Sequence, residues 1–321
     1  MTMRQIRRAH SLSQAALAQA AGVSRGTVAL IEAGRLAPTV TVARRLAAAL
    51  GVTLDDLFGD SGAPPVMEDS LTPGSRALRR SDGSLLDAGT TPTMTVVTPF
   101  TGHLDEGGSY VHGPFPPSPD VLVVAGCNPV LGLLVALSAA GGHGVVWLSR
   151  NNSRALAVLG RGLVDAAVVH LPPADRPPDG LVAIPFLAEA VGWMCRPGDR
   201  PQIDLQAIRS GRVRLSIREE GSGAARMLKE VVGEVPGRIV ASPLDQAAAI
   251  RLGGADLSLG SGGAAALERL AFQDVGSEML WFVFAADRAT RLAPLLDLIS
   301  GRLAAAASAI GPYSEPKDVA S

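Results

Sequence analysis

Apolar and polar positions repeat with a helical period over the first sixty residues of the chain. Ala16, Leu17 and Ala20 share one face of a helix over 14–20, Val28 and Ile31 one face over 25–33, and Val42, Leu46 and Leu50 one face over 41–50. Ser13 and Ser24 stand where N-caps belong, and Gly22 and Gly34 where those helices stop. A short closing helix over 54–58 completes an all-α head. From residue 121 the pattern changes to short apolar runs alternating with amphipathic segments. Strands are predicted at 121–125, 145–149 and 166–171, with helices over 128–140 and 153–161 between them. Strands at 181–185 and 191–195 lead to a second block: helix 205–209, strand 213–217, helix 223–231, strand 239–241, helix 245–252 and strand 257–260. A strand at 280–285 and a long helix over 291–306 end the body.

Alternation of this kind predicts parallel sheets with crossover helices. Two blocks joined by a Pro-containing extended stretch predict two lobes with a cleft between them. The expected organisation is multidomain: an all-α head (1–60), a linker (61–92), a two-lobed α/β ligand-binding domain (93–311) and a flexible tail (312–321). Within the linker, Leu85-Leu86 is a candidate strand, as is 93–97 just beyond it. The Gly and Pro content of 99–119 reads as loop.

The chain has 321 residues, 47% of them hydrophobic and 18% charged, which excludes a disordered chain and supplies a core. Residues 121–149 carry no formal charge and are long enough to span a bilayer. Gly126, Asn128-Pro129, Gly132, Gly141-Gly142 and Gly144 divide them into a buried strand, helix and strand instead. The N-terminal arginines precede no apolar stretch, so neither an export signal nor a membrane segment is expected. Two cysteines form no disulfide framework, and a reducing, cytoplasmic setting fits best.

The net charge of −1 hides an asymmetry. Residues 1–50 hold seven arginines (Arg4, Arg7, Arg8, Arg25, Arg35, Arg44 and Arg45) against Glu32 alone, leaving an acidic body. A basic head on an acidic body is the charge pattern of a DNA-contacting module joined to something else. Helix, Gly-containing turn and helix is also the helix-turn-helix spacing, in which the second helix enters the major groove. Leu12-Ser13-Gln14, Leu17-Ala18, Ala21-Gly22-Val23-Ser24, Ile31-Glu32-Ala33-Gly34-Arg35, Pro38 and Leu54-Asp55-Asp56-Leu57-Phe58 resemble the Xre/Cro-type regulators. The resemblance implies that Gln14, Ser24, Arg25, Gly26 and Thr27 face DNA, with Gln14 and Arg25 reading bases or phosphates and Arg35 suiting a phosphate. It also implies a homodimer on a double-stranded operator, because one head binds a half-site. The alternative for the head is a protein-contact scaffold with solvated arginines.

Three turns in the body fall at strand C-termini, where open α/β sheets place ligands. They are Gly126-Cys127-Asn128-Pro129, Ser149-Arg150-Asn151-Asn152-Ser153 and Arg218-Glu219-Glu220-Gly221-Ser222-Gly223. All three open helices and would aim N–H groups and a positive helix end into the cleft, which suits an anion. His170 ends its strand and points the same way, unless it is a satisfied structural residue. The candidate ligand residues are Cys127, Asn128, Ser149, Asn151, Asn152, Ser153, His170, Gly221, Ser222 and Gly223. Cys127 reads as a small buried residue or, less simply, as a catalytic thiol. Glu219 and Glu220 would repel an anion and are expected to point away.

Val124-Ala125-Gly126-Cys127-Asn128-Pro129, Asp165-Ala166-Ala167-Val168-Val169-His170-Leu171, Arg218-Glu219-Glu220-Gly221-Ser222-Gly223 and Gly253-Gly254-Ala255-Asp256 resemble substrate-binding-like (type II) domains of the periplasmic-binding-protein superfamily. The resemblance implies an effector in the cleft and, through the association of related domains with molybdenum-cofactor proteins, a molybdate- or tungstate-type oxyanion or a molybdopterin-related compound. Ala224 stands where many relatives carry Thr, removing one hydroxyl. A ligand-responsive transcription regulator is the resulting expectation, with a small organic solute as the alternative effector. An enzyme would need a nucleophile–base pair or a metal cluster. The five histidines (His10, His103, His112, His143 and His170) lack ligand spacing, and Gly260-Ser261-Gly262 lacks the nucleophile-elbow pattern. No catalytic residue, cofactor or metal is expected. A transport-binding protein is the third class, opposed by the DNA-binding head.

Overall fold

Helix ends in the head are set by side chains that take up free backbone N–H groups. Ser13 Oγ accepts from Ala16 N–H at 3.0 Å, Ser24 Oγ from Thr27 N–H at 3.0 Å, and Thr39 Oγ1 from Val42 N–H at 3.4 Å. Gly22 and Gly51, both at φ 64°, supply the left-handed turn after their helices. In this computed structural model the described residues are 3–33, 35–36, 38–52, 54, 57, 66–73, 75–80, 82–88, 101–113, 121–199, 201 and 203–316. Gly34, Asp55, Asp56, Phe58 and the strand expected at 93–97 lie outside them. Among the described residues the head comprises α1 (Met3–Ala9), α2 (Gln14–Ala21), α3 (Arg25–Glu32) and α4 (Val40–Leu50). Ile6, Leu17, Val28, Leu46 and Leu50 form its buried core. Inside the head Arg7 is buried too, its Nε donating to Glu32 at 2.6 Å and its Nη1 to the Leu12 carbonyl at 2.6 Å.

The segment expected as linker and loop is not featureless. It carries β1 (Arg76–Arg79), β2 (Leu85–Asp87), β3 (Gly102–Leu104) and β4 (Tyr110–His112) in an antiparallel sheet of order β2-β1-β3-β4. Ala77, Leu78, Leu85, Leu86 and Leu104 are buried in it. Strands of three or four residues between Gly- and Pro-rich turns are too short to show a period of two, which is why only Leu85-Leu86 was legible. Gly102 permits the close pairing, since a Cβ there would run into the Val111 carbonyl oxygen. Head and small sheet fall in one compact unit, and the residues from 121 onward in another.

In that second unit β5 (Leu122–Gly126), β6 (Val145–Ser149) and β7 (Ala166–Leu171) run parallel, linked by α5 (Val130–Ala140) and α6 (Asn152–Gly160). This is the first lobe. Two 14-residue strands, β8 (Val182–Cys195) and β12 (Ala271–Phe284), then run antiparallel to each other along their whole length. The full sheet has the order β11-β8-β12-β7-β5-β6. The sequence breaks β8 into two runs because Pro185 interrupts its ladder next to a register shift between Leu280 and Trp281. It hides the first half of β12 because those residues are polar and exposed. Purely parallel lobes were expected; the sheet is mixed, its antiparallel half built by β12, β8 and β11 (Leu257–Ser261).

The second lobe adds the parallel pair β9 (Ser216–Arg218) and β10 (Arg238–Val240), with a bridge from Leu215 to Leu257. Its helices are α7 (Leu205–Arg209), α8 (Gly223–Val232), α9 (Pro243–Arg251) and α10 (Gly262–Leu267). The long terminal helix is two, α11 (Ala289–Ser300) and α12 (Arg302–Ser308), broken at Gly301. Among the described residues of this second unit there are two apolar cores. The larger joins Val124, Leu131, Phe282 and Leu295, and the smaller joins Trp193, Ile208, Leu228 and Leu259.

Of the tail expected over 312–321, residues 317–321 lie outside the described residues, and the start is anchored. Tyr313 and Ser314 form β13, which pairs with β8. Tyr313 is buried, and its hydroxyl donates to Asn128 Oδ1 at 3.0 Å. A single anchoring aromatic in a polar terminus leaves no periodic signal. Tyr313→Ala is expected to cost about 3 kcal/mol of stability through the cavity it leaves, read as a lowered urea midpoint. Tyr313→Phe, losing only the hydrogen bond, is expected to cost about 1 kcal/mol.

Candidate functional site

The DNA-facing candidates of the head divide into free and committed groups. Arg25 at the start of α3, Gly26 and Arg35 are exposed. Ser24 is exposed as well, but its hydroxyl caps α3 and shares a 2.8 Å hydrogen bond with Thr27 Oγ1. Gln14, expected to read bases or phosphates, is half-buried, and its Nε2 donates to Glu32 at 2.8 Å, beside Arg7. Burial pushes the Glu32 carboxyl up, but the bonds from Arg7 and Gln14 and the charge of Arg4 outweigh it, and the net shift is down. Glu32 therefore holds Gln14 and the buried Arg7 in one charged knot.

Two of the body's three turns meet across the lobes. Asn151 Oδ1 caps α6 through Arg154 N–H, while its Nδ2 donates to Glu219 at 2.8 Å and to the Glu220 carbonyl at 3.3 Å. Ser153 Oγ donates to the Gly221 carbonyl at 3.2 Å. Glu219 thus faces the first lobe rather than pointing away. Asn152 is structural, exchanging two hydrogen bonds with the backbone of His170. Ser222 caps α8 by accepting from Ala225 N–H at 3.1 Å. Gly223 brings α8 against the first lobe, for a Cβ there would stand 2.9 Å from Glu278 and 3.2 Å from the His170 ring.

Deeper in, the lobes enclose a cavity of ≈ 10 Å³, about the space of one water. Asn128, His170, Glu189, Arg218, Gln246 and Glu278 line it together with smaller groups. Asn128 has spent its polar atoms: Oδ1 accepts from Val130 N–H and Tyr313, and Nδ2 donates to Glu189 at 2.5 Å. Glu189 also takes bonds from the Ser261 hydroxyl and from Gly263 N–H. Three buried atoms of the lining have no partner: Arg218 Nε, Gln246 Oε1 and Glu278 Oε1. Ser149, at the end of β6, lines neither this cavity nor the open groove of ≈ 740 Å³ along α8, to which Asn152, Ser153, Gly221, Ser222 and Gly223 contribute.

Beside the cavity Cys127 and His170 meet. Cys127 Sγ lies 3.2 Å from His170 Nε2, and His170 Nδ1 lies 2.7 Å from Glu278 Oε2. Arg218 Nη1 is 3.9 Å from the same sulfur. Burial pushes the Cys127 thiol up, but the positive charges of His170 and Arg218 outweigh it, and its pKa falls below 9.0. Burial opposes charge on His170 as well, yet Glu278 and Cys127 prevail and hold its pKa well above 6.5. Each group thus favours the charged form of the other: the imidazole lowers the thiol and the thiol raises the imidazole. Residue spacing does not reveal this thiol–imidazole–carboxylate series, because its three members come from the turn after β5, from β7 and from β12.

Arg218, Glu189, Gln246, Ser261, Glu278 and Tyr313 were not among the expected site residues. A signal for two of them was available: Glu189 is the one charge in the apolar β8, and Glu278 opens the apolar, buried half of β12, where a charge is kept only with partners.

Residues 3–57 match the family described as Helix-turn-helix, and residues 135–300, just over half the chain, match the PBP superfamily domain. No curated protein matches the chain. Solved structures similar to it include a reduced form of OxyR from N. meningitidis, at 15% identity and TM-score 0.46, covering 61% of this chain and 99% of that one. Another is an ABC-type phosphate transport receptor from Vibrio cholerae, at 10% identity and TM-score 0.43, covering 61% and 100%. A third is the C-terminal domains of a LysR family protein from Agrobacterium tumefaciens, at 20% identity and TM-score 0.41, covering 57% and 96%.

Because the native pKa of His170 is raised, its charge contributes stability that is complete below pH 6.5 and is lost as pH climbs through the raised value. Glu278→Gln removes the first of the groups that raise it. The variant is expected to be less stable than the parent by about 1–3 kcal/mol in mildly acidic urea melts, with the gap narrowing at alkaline pH. A gap that widens with pH would contradict this assignment.

Proposed function

Because the chain belongs to the PBP superfamily domain family and begins with a helix-turn-helix, we propose that it is a cytoplasmic, ligand-responsive transcription regulator. The head binds a double-stranded operator as part of a homodimer, and the body senses a small molecule between its lobes. One observation carries the sensing half: Arg218 Nε, Gln246 Oε1 and Glu278 Oε1 are buried around one cavity without partners. A buried donor and buried acceptors left unpaired each cost about 1–3 kcal/mol, and a ligand offering both functions relieves that cost.

The same lining argues against a bare molybdate or tungstate. Glu278 and Glu189 present carboxylates where an oxyanion would sit, and the helix starts are already capped by Asn128, Asn151 and Ser222. The charge pattern of Arg218 against Glu278 favours a small organic solute carrying an anionic and a cationic or hydrogen-donating group. At ≈ 10 Å³ the cavity admits it only when the lobes part. The solute acts by favouring one lobe arrangement over the other, and two heads joined in a dimer convert that preference into operator affinity.

A thermal-shift panel on the full chain tests the effector: amino acids and related zwitterions beside molybdate, tungstate, sulfate and phosphate. A ligand at about 100 times its Kd adds about 2.7 kcal/mol, read as a shift in Tm. A shift with an organic zwitterion, lost in Arg218→Ala, is the expected result. A shift with molybdate alone would restore the oxyanion reading. For the head, Arg25→Ala and Arg35→Ala are each expected to weaken duplex binding and to lower the slope of log K against log salt by about 0.9. An unchanged slope would remove both from the interface.

A further inference from the structure

Regulation by a bound solute leaves the buried Cys127 thiol unused. Cys127, His170 and Glu278 stand in series, with 3.2 Å between sulfur and Nε2 and 2.7 Å between Nδ1 and the carboxylate. Thiol, imidazole and orienting carboxylate in that order is the arrangement that activates a nucleophile for attack on a carbonyl, and it is recognised by geometry rather than by sequence position. A carboxylate on Nδ1 fixes the ring so that Nε2 is the atom offered to the sulfur. All three groups come from the first lobe and β12, so they stay together whatever the second lobe does. Arg218 comes from the second lobe and lies against the sulfur.

A second observation points to a reacting molecule. Arg218 is buried, lines the cavity, and its Nε has no partner. An unpaired guanidinium N–H beside an activated thiol is placed to stabilise an oxygen that gains negative charge. Cys127 is 1% exposed, and Arg218 of the opposite lobe is among the groups that cover it. A parting of the lobes that carries Arg218 away removes that part of the cover over the sulfur.

Resting on the reading that a small solute enters between the lobes, we propose that Cys127 is an acyl-accepting nucleophile for small activated acyl donors, esters or thioesters. His170 is its acid–base partner, Glu278 a positioning residue, and Arg218 the donor to the carbonyl oxygen. The Cys127 sulfur gives its electron pair to the carbonyl carbon, and the carbonyl π pair moves onto oxygen beside Arg218. That pair returns, the bond to the leaving oxygen or sulfur breaks, and the leaving group takes the proton from His170 Nε2. An acyl thioester on Cys127 and neutral His170 remain. Water then gives a proton to His170 and its oxygen to the acyl carbon. The carbon–sulfur bond breaks, releasing a carboxylic acid and restoring the thiolate–imidazolium pair.

The test is p-nitrophenyl acetate mixed with the full-length protein. The expected result is a burst of nitrophenolate approaching one per chain, with one acetyl group mapped to Cys127 by peptide mass. Cys195→Ser is expected to keep the burst and Cys127→Ala to abolish it. His170→Gln should slow it about 100-fold, and Glu278→Gln should move the pH midpoint of the burst rate upward. No burst, acetyl groups on Cys195 instead, or an unchanged burst in Cys127→Ala would each overturn the proposal. Should Cys127→Ala fail to fold, the unaltered protein still decides. Iodoacetamide alkylation should show a lower pH midpoint for Cys127 than for Cys195, and equal midpoints overturn the assignment. Thermal shifts on the same samples separate the two readings. A zwitterion shift without acyl transfer defeats this proposal alone, whereas acyl transfer without any zwitterion shift defeats the effector assignment and leaves the chemistry standing.

Discussion

Two carboxylates face each other across the centre of the body, and the rest of the second unit is arranged to accommodate them. Glu189 on β8 and Glu278 on β12 are register partners in adjacent strands, and both are buried. Like charges side by side in a low-dielectric interior cannot both be left bare. The molecule resolves them differently. Glu189 is surrounded by neutral donors, from Asn128, Ser261 and Gly263, and burial raises its pKa so that the proton is more readily kept. Glu278 is given His170, whose Nδ1 lies 2.7 Å from its Oε2.

That division propagates outward. The donors to Glu189 sit at the starts of α5 and α10, so one carboxyl group ties a helix of the first lobe to a helix of the second through the strand they share. Tyr313 closes the same knot from the C-terminal end by holding Asn128. On the other side, the imidazole that meets Glu278 also faces a sulfur, and the sulfur in turn faces Arg218. The groups along this line alternate in kind, from carboxyl to imidazole to thiol to guanidinium. The last member ends at an unpaired Nε, which is where the interior stops being self-sufficient.

Much of this was legible in the residues, and the reasons for what was not are physical. The helices of the head followed from caps that work locally: Ser13, Ser24 and Gly22 each act within a turn of their own helix. The turns at 126–129, 149–153 and 218–223 followed from the rule that helix starts lie at strand ends. What those turns do with their polar atoms did not follow, because Asn128, Asn151 and Ser222 cap and cross-link within the protein instead of waiting for an anion. Strands β8 and β12 were read as fragments, since Pro185 and a polar first half break their pattern. The pairing of Glu278 with His170 spans 108 positions, a distance over which no periodicity operates. The lone charge of β8 and the glutamate at the edge of the apolar run of β12 were nonetheless visible, and a buried-strand carboxylate is the mark that would have led to the site.

Gly223 gives this interior a gauge. The start of α8 approaches the His170–Glu278 pair so closely that a single methyl group would press on both. The nearness of the two lobes is thus fixed by a missing atom, and the part of the second lobe that sets this limit touches the very pair whose protonation holds a charge in place. Mechanical closeness and charge state are read at one contact: a lobe shift of a methyl's width is also a change in the polarity felt by an imidazole ring.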